Sequence, residues 1–94
     1  MSGSTILVVY QDELYLGRVR AALAPAGYKV SEASTSTAAI AELQRSRPGI
    51  VVFCPCVTPE MHQTITQAVK ELYPDLTVLR LSPNHVDKVS ELLQ

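Results

Sequence analysis

Two thiols and a few polar side chains are the residues of this 94-residue chain whose types and spacing could do chemistry. Cys54 and Cys56 flank Pro55 at the end of the apolar run Ile50-Val51-Val52-Phe53. In extended backbone, residues two apart point to the same side, so the sulfurs would form a pair suited to a soft metal or to oxidation. His62, early in the next helical segment, could approach the same place. Three ligands fall short of the four that structural zinc takes, and a disulfide across a single residue is strained. The competing reading makes Cys54 a small buried hydrophobe. It is preferred, because spacing alone does not define a metal site. A second polar group, Tyr10-Gln11-Asp12-Glu13, follows the first apolar run, and Ser82 follows the last. The Tyr10 phenol is expected to hydrogen-bond Gln11, Ser82 or a backbone group, or simply to cap the strand end. Ser82 also suits a turn before Pro83. His62 and His85, near helix starts in polar surroundings, are expected at the surface, and Tyr15 and Tyr73 as exposed aromatics of an interaction surface.

The elements that must position these residues follow from apolar periodicity. Ile6–Tyr10, Tyr28–Ala33, a third run whose apolar stretch Ile50–Phe53 leads to an end on Cys54, and Leu76–Leu81 read as strands. From Asp12 as N-cap to Ala26, Leu16, Val19, Leu23 and Ala26 recur at helical spacing. Gly27 stops that helix and Pro25 frays its last turn. Caps within Ser34–Thr37 open a second helix carrying Ala38, Ile40, Ala41 and Leu43, which ends before Pro48. Thr58 and Pro59 suit the cap and first position of a third helix, with Met61, Ile65, Ala68, Val69 and Leu72 as its apolar stripe. Asn84 is the expected cap of a last helix carrying Val86, Val89, Leu92 and Leu93. Strands and helices alternate throughout, which implies a parallel sheet with right-handed crossovers and helices on both faces.

Composition excludes several classes. Eight basic and nine acidic residues give a net charge of −1 with no basic cluster, which argues against nucleic acid as a partner. The apolar runs are strand-sized, so no membrane span is expected. Residues 1–4 read as a flexible leader lacking signal-peptide character, and residues 1–94 as one domain in the cytoplasm. No glycine follows the first strand, where carboxylates stand instead, so a phosphate-cradling loop is absent. No nucleophile, base and oxyanion donors gather in one place, so no enzyme and no cofactor are expected.

The runs Ile6-Leu7-Val8-Val9, Ala26-Gly27-Tyr28-Lys29-Val30, Arg47-Pro48-Gly49-Ile50-Val51-Val52 and Leu72-Tyr73-Pro74-Asp75-Leu76-Thr77-Val78 share a further property. In order and spacing, without gaps to about Ser82, they resemble the receiver domain of two-component response regulators. The resemblance implies a flavodoxin-like (receiver-like) open parallel α/β sheet. Here it would have four strands and lack one βα unit, the chain being short at its C-terminal end. A working receiver holds Mg²⁺ with paired acids after strand one and takes a phosphoryl group on an aspartate ending strand three. It also uses a Ser/Thr after strand four and a lysine after strand five. The corresponding positions here are Tyr10 and Gln11, with Asp12 arriving late, then Cys54, then a matching Ser82, and no lysine. Phenol, amide and thiol are poor Mg²⁺ ligands.

The last helix matches either the family's fourth helix or, after an internal deletion, its fifth, and the deletion is favoured. Strand four then becomes an edge, guarded by Arg80. The implied function is a degenerate receiver in a bacterial signalling pathway, acting through a protein partner or a homodimer without phosphorylation. The alternative is a thiol sensor in which Cys54 and Cys56 oxidise or bind a soft metal, activated by the N-terminal dipole of the third helix.

Overall fold

The computed structural model describes residues 5–55 and 57–88. Four strands, β1 (Thr5–Val9), β2 (Lys29–Ala33), β3 (Ile50–Phe53) and β4 (Thr77–Arg80), form one sheet in the order β2-β1-β3-β4, with every pairing parallel. Three helices connect them: α1 (Glu13–Leu23), α2 (Ser36–Ser46) and α3 (Pro59–Leu72). A 3-10 segment, Pro83–Lys88, follows β4. No helix among the described residues is long and apolar enough to cross a membrane.

Strand alternation divides the core into two layers. Leu7, Val9, Val51 and Phe53 face α2 and α3, packing on Ala39, Leu43, Met61, Ile65 and Val69. Ile6, Val8, Val52 and Cys54 face the other way, toward Leu16, Val19 and Leu23 of α1 and Val86 of the 3-10 segment. Ile6 to Val9 are all completely buried, as befits a central strand covered on both faces. Each such side chain contributes about 1.5–3 kcal/mol.

The expected caps are in place. Asp12 caps α1 by accepting a hydrogen bond from the Leu14 N–H at 2.9 Å, Thr35 caps α2 through Ala38 N, and Thr58 caps α3 through Met61 N. Other expectations shift. The first helix ends at Leu23 rather than Ala26, because Pro25 lacks the N–H an α-helix needs. The chain tightens into a 3-10 turn, Ala24–Ala26, and leaves it through Gly27 at φ 90°. Tyr10 lies just beyond β1, although its N–H still pairs with Ala33 O at 3.0 Å. Tyr28 precedes β2, and Leu76 and Leu81 flank β4. Leu76 N donates to Tyr73 O in a turn instead of joining the ladder.

In α2 the buried positions are Ala39 and Leu43, whereas Ala41 is exposed. Leu72, expected in the stripe of α3, is 49% exposed. A 14-residue helix runs about 21 Å, whereas four-residue β3 spans about 13 Å, so the last turn of α3 projects past the sheet. Tyr15 and Tyr73, expected exposed, are half-buried against the two layers. Asn84 falls inside the 3-10 segment, which starts at Pro83, whose fixed φ suits a first helical position. Residues 1–4, Cys56, Val89, Leu92 and Leu93 lie outside the described residues.

Candidate functional site

The carboxyl ends of the strands bring most of the singled-out residues together, as expected of an open parallel sheet. Cys54 N donates to Val9 O at 2.9 Å and Leu81 N to Phe53 O at 2.9 Å, so β1, β3 and β4 finish in step. This places Tyr10, Cys54 and Ser82 along one rim. Val57 N donates to Cys54 O at 3.2 Å, turning the chain immediately after β3 toward the cap of α3.

Each polar group has a specific environment. The Cys54 side chain is fully buried in the cluster that also contains Ile6, Val8, Leu16, Val19, Val52, Leu81 and Val86, and the Tyr10 ring packs against this cluster. Gln11 Oε1 accepts a hydrogen bond from Thr58 N at 3.1 Å, joining the loop after β1 to the start of α3 across 47 residues of chain. That bond satisfies an orphan N–H ahead of a helix. Asp12 spends its Oδ1 on Leu14 N, and Glu13 is exposed in the first turn of α1, favourably placed against the helix dipole. Ser82 is half-buried and lines a shallow pocket with Pro55, Arg80, Leu81 and Pro83.

His62 reaches the same end of the sheet but on its other side. Its ring lies 4.5 Å from that of Phe53, tilted by 53°. Phe53 faces α2 and α3 while Cys54 faces α1, so the sheet itself separates His62 from the thiol. A joint metal site for the two is therefore ruled out by alternation. Among the described residues no group of three or more His, Cys, Asp or Glu is arranged to hold a metal ion. Rather than a surface histidine in polar surroundings, His62 is half-buried. Its pKa is lowered from 6.5 first by that burial and then by the Arg80 charge. His85 belongs to the 3-10 segment.

A thiol switch gains nothing from this geometry. Reactive cysteines are partly exposed in electropositive surroundings, whereas Cys54 is completely buried in a cluster whose other buried members are aliphatic. Cys56, its proposed partner, lies outside the described residues. What the rim does offer is a neutral, hydrogen-bonded tie at Gln11 and a completely buried side chain at Cys54.

Solved structures of the same shape include the signal receiver domain of a putative Luxo repressor protein from Vibrio parahaemolyticus. It is 12% identical, with TM-score 0.82, over 97% of this chain and 87% of that one. The N-terminal domain of a response regulator receiver protein from Methanoculleus marisnigri JR1 is 20% identical, with TM-score 0.72, over 93% of this chain and 76% of that one. A de novo designed Rossmann 2x3 fold protein also matches, 16% identical with TM-score 0.67, over 96% of this chain and 89% of its own. These likenesses establish a receiver-like, flavodoxin-like α/β fold. A designed protein among them makes plain that shape alone does not carry activity. No protein-family model matches the sequence, and no curated protein is significantly similar to it.

Proposed function

We propose that this chain is a degenerate receiver: a cytoplasmic, non-catalytic signalling module that acts through binding another protein and takes no phosphoryl group. The observation that carries this reading is the complete burial of Cys54 at the end of β3. In the family resemblance that position belongs to the phosphoacceptor aspartate. An acceptor must meet its phosphodonor and Mg²⁺ in water, and a carboxylate could not stay charged in this apolar cluster without a partner. Gln11 and Asp12 support the same conclusion. Gln11 Oε1 accepts from Thr58 N and Asp12 Oδ1 from Leu14 N, so both contribute to local structure. Val86 packs on the α1 side of the sheet. This favours the last helical segment as the counterpart of the family's final helix, with a βα unit missing between β4 and it.

A titration with Mg²⁺ and beryllofluoride, a phosphoryl mimic, followed by ¹⁵N NMR tests the reading. The expected result is no saturable shift at the amides of Tyr10, Cys54 or Ser82. A saturable shift at those amides that requires both reagents would overturn it.

A further inference from the structure

We infer that the outer edge of β4 is a docking site for an extended acidic segment of a partner protein, added to the sheet as a further strand. The inference deepens the interaction reading and rests on it. Among the described residues β4 pairs only with β3. Thr77 N donates to Gly49 O at 3.4 Å and Leu81 N to Phe53 O at 2.9 Å. Backbone groups of alternate residues point to opposite sides of a strand, so Val78 and Arg80 turn their N–H and C=O outward. An extended peptide can satisfy all four groups, the usual basis of strand addition.

Charge selects what kind of strand fits. Arg80 and Lys70 are exposed, and neither takes part in an ion pair among the described residues. Val78 packs in the same layer as Met61, Ile65 and Val69 of α3, so by alternation Arg80 lies on the α3 side of the edge, and His62, Thr66 and Lys70 line one groove along that helix. Among the described residues no carboxylate lines the groove on α3, and Thr66 Oγ1 is buried there without a hydrogen-bond partner. On the opposite face of the edge lies half-buried, apolar Leu79. A strand alternating carboxylates with apolar side chains matches both faces at once. A second copy of this chain does not: antiparallel self-pairing at Val78 and Arg80 would set two unneutralised Arg80 side chains close together on one face. Charges of this kind are a common guard against edge-to-edge association. The guard that disfavours self-pairing therefore selects an acidic partner.

The test is ¹⁵N NMR titration of the intact chain with a short capped peptide alternating glutamate and valine, compared with one alternating lysine and valine. The acidic peptide should shift the amides of Val78 and Arg80 saturably, bind about tenfold tighter than the basic one, and weaken as salt is raised. Arg80→Glu, an exposed substitution whose fold is checked in the same spectra, should reverse the preference. No response, an equal response to both peptides, shifts centred elsewhere, or concentration-dependent self-association through these amides would each overturn the inference. Failure of the degenerate-receiver reading registers separately, at Tyr10, Cys54 and Ser82 with beryllofluoride.

Discussion

Restoring a carboxylate by Cys54→Asp should unfold the protein or nearly so at neutral pH, and the penalty should fade in acid. The Cys54 side chain has no exposed surface, and the other buried members of its cluster are aliphatic. The introduced carboxyl group has two options there, and both are unfavourable. It can stay charged, at a cost of several kcal/mol for an uncompensated buried ion. Alternatively it can enter protonated. Taking up a proton at pH 7 against an unfolded pKa of about 3.9 costs about 4 kcal/mol, and an unsatisfied buried carboxylic acid adds about 1–3 kcal/mol. The sum, about 5–7 kcal/mol, rivals the whole stability of a domain of this size, about 5–14 kcal/mol.

The sign with pH follows from linkage. Burial raises the folded-state pKa of this group, so the protonation penalty is absent below about pH 3.9. It then grows by about 1.4 kcal/mol per pH unit until the folded-state pKa is passed. Urea unfolding at pH 7 and pH 5 should thus find the variant closer to wild type at pH 5 by about 2.7 kcal/mol. Cys54→Ser, which buries a neutral hydroxyl, should lose about 1–3 kcal/mol with no such pH dependence. A Cys54→Asp protein as stable as wild type at both pH values would refute the reasoning. The rim would then be open to water, and the site a latent acid pocket.

Gln11→Ala should cost about 0.5–1.5 kcal/mol and speed hydrogen exchange at the Thr58 amide, which loses its acceptor; an unchanged exchange rate there would remove the proposed tie between the two loops. His62 should titrate below 6.5 in an NMR pH series. Because its folded-state pKa is depressed, the stability it contributes is present above pH 6.5 and lost as pH falls through the folded value. Arg80→Gln should raise that pKa only in part, since burial against the Phe53 side of the sheet is the larger cause; complete restoration would reverse the order of the two causes. Ile65→Ala should lose about 2–5 kcal/mol and Leu72→Ala no more than about 0.5 kcal/mol, with denaturant midpoints separating the buried stripe of α3 from its overhanging end.

Element order and fold class were legible because two periods do not mix. Fully apolar runs such as Ile50–Phe53 signal strands buried on both faces, and the Asp12 and Thr58 caps each stand one residue before a helix. The phase of α2 was not legible. Its start is rich in alanine, which carries little hydrophobic contrast, and Ile40 drew the expected stripe one residue away from Ala39, which is fully buried. The exposure of Leu72 was hidden for another reason: its helical phase is right, and only the shorter length of the strands beneath α3 leaves it uncovered.

The rim was half legible, and the illegible half concerns contacts between distant loops. Cys54 as a buried hydrophobe follows from its place at the end of an apolar strand. The bond from Gln11 to Thr58 does not, because nothing local marks two residues 47 apart as partners. Once both are placed, their chemistry is coherent. Thr58 uses its hydroxyl to cap α3 through Met61 N and its own N–H to hold Gln11, so one residue anchors both the helix and the loop after β1. An amide in that role keeps the two loops together at any ionic strength and needs no metal, because the bond is between neutral groups. If the chain is the degenerate receiver proposed above, exchanging ionic ligands for neutral ones would remove the site's dependence on Mg²⁺ and phosphate while keeping the strand ends aligned. On this reading, with the rim committed to structure, partner binding would fall to charged and unpaired backbone groups elsewhere, of which the β4 edge with Arg80 offers the clearest set.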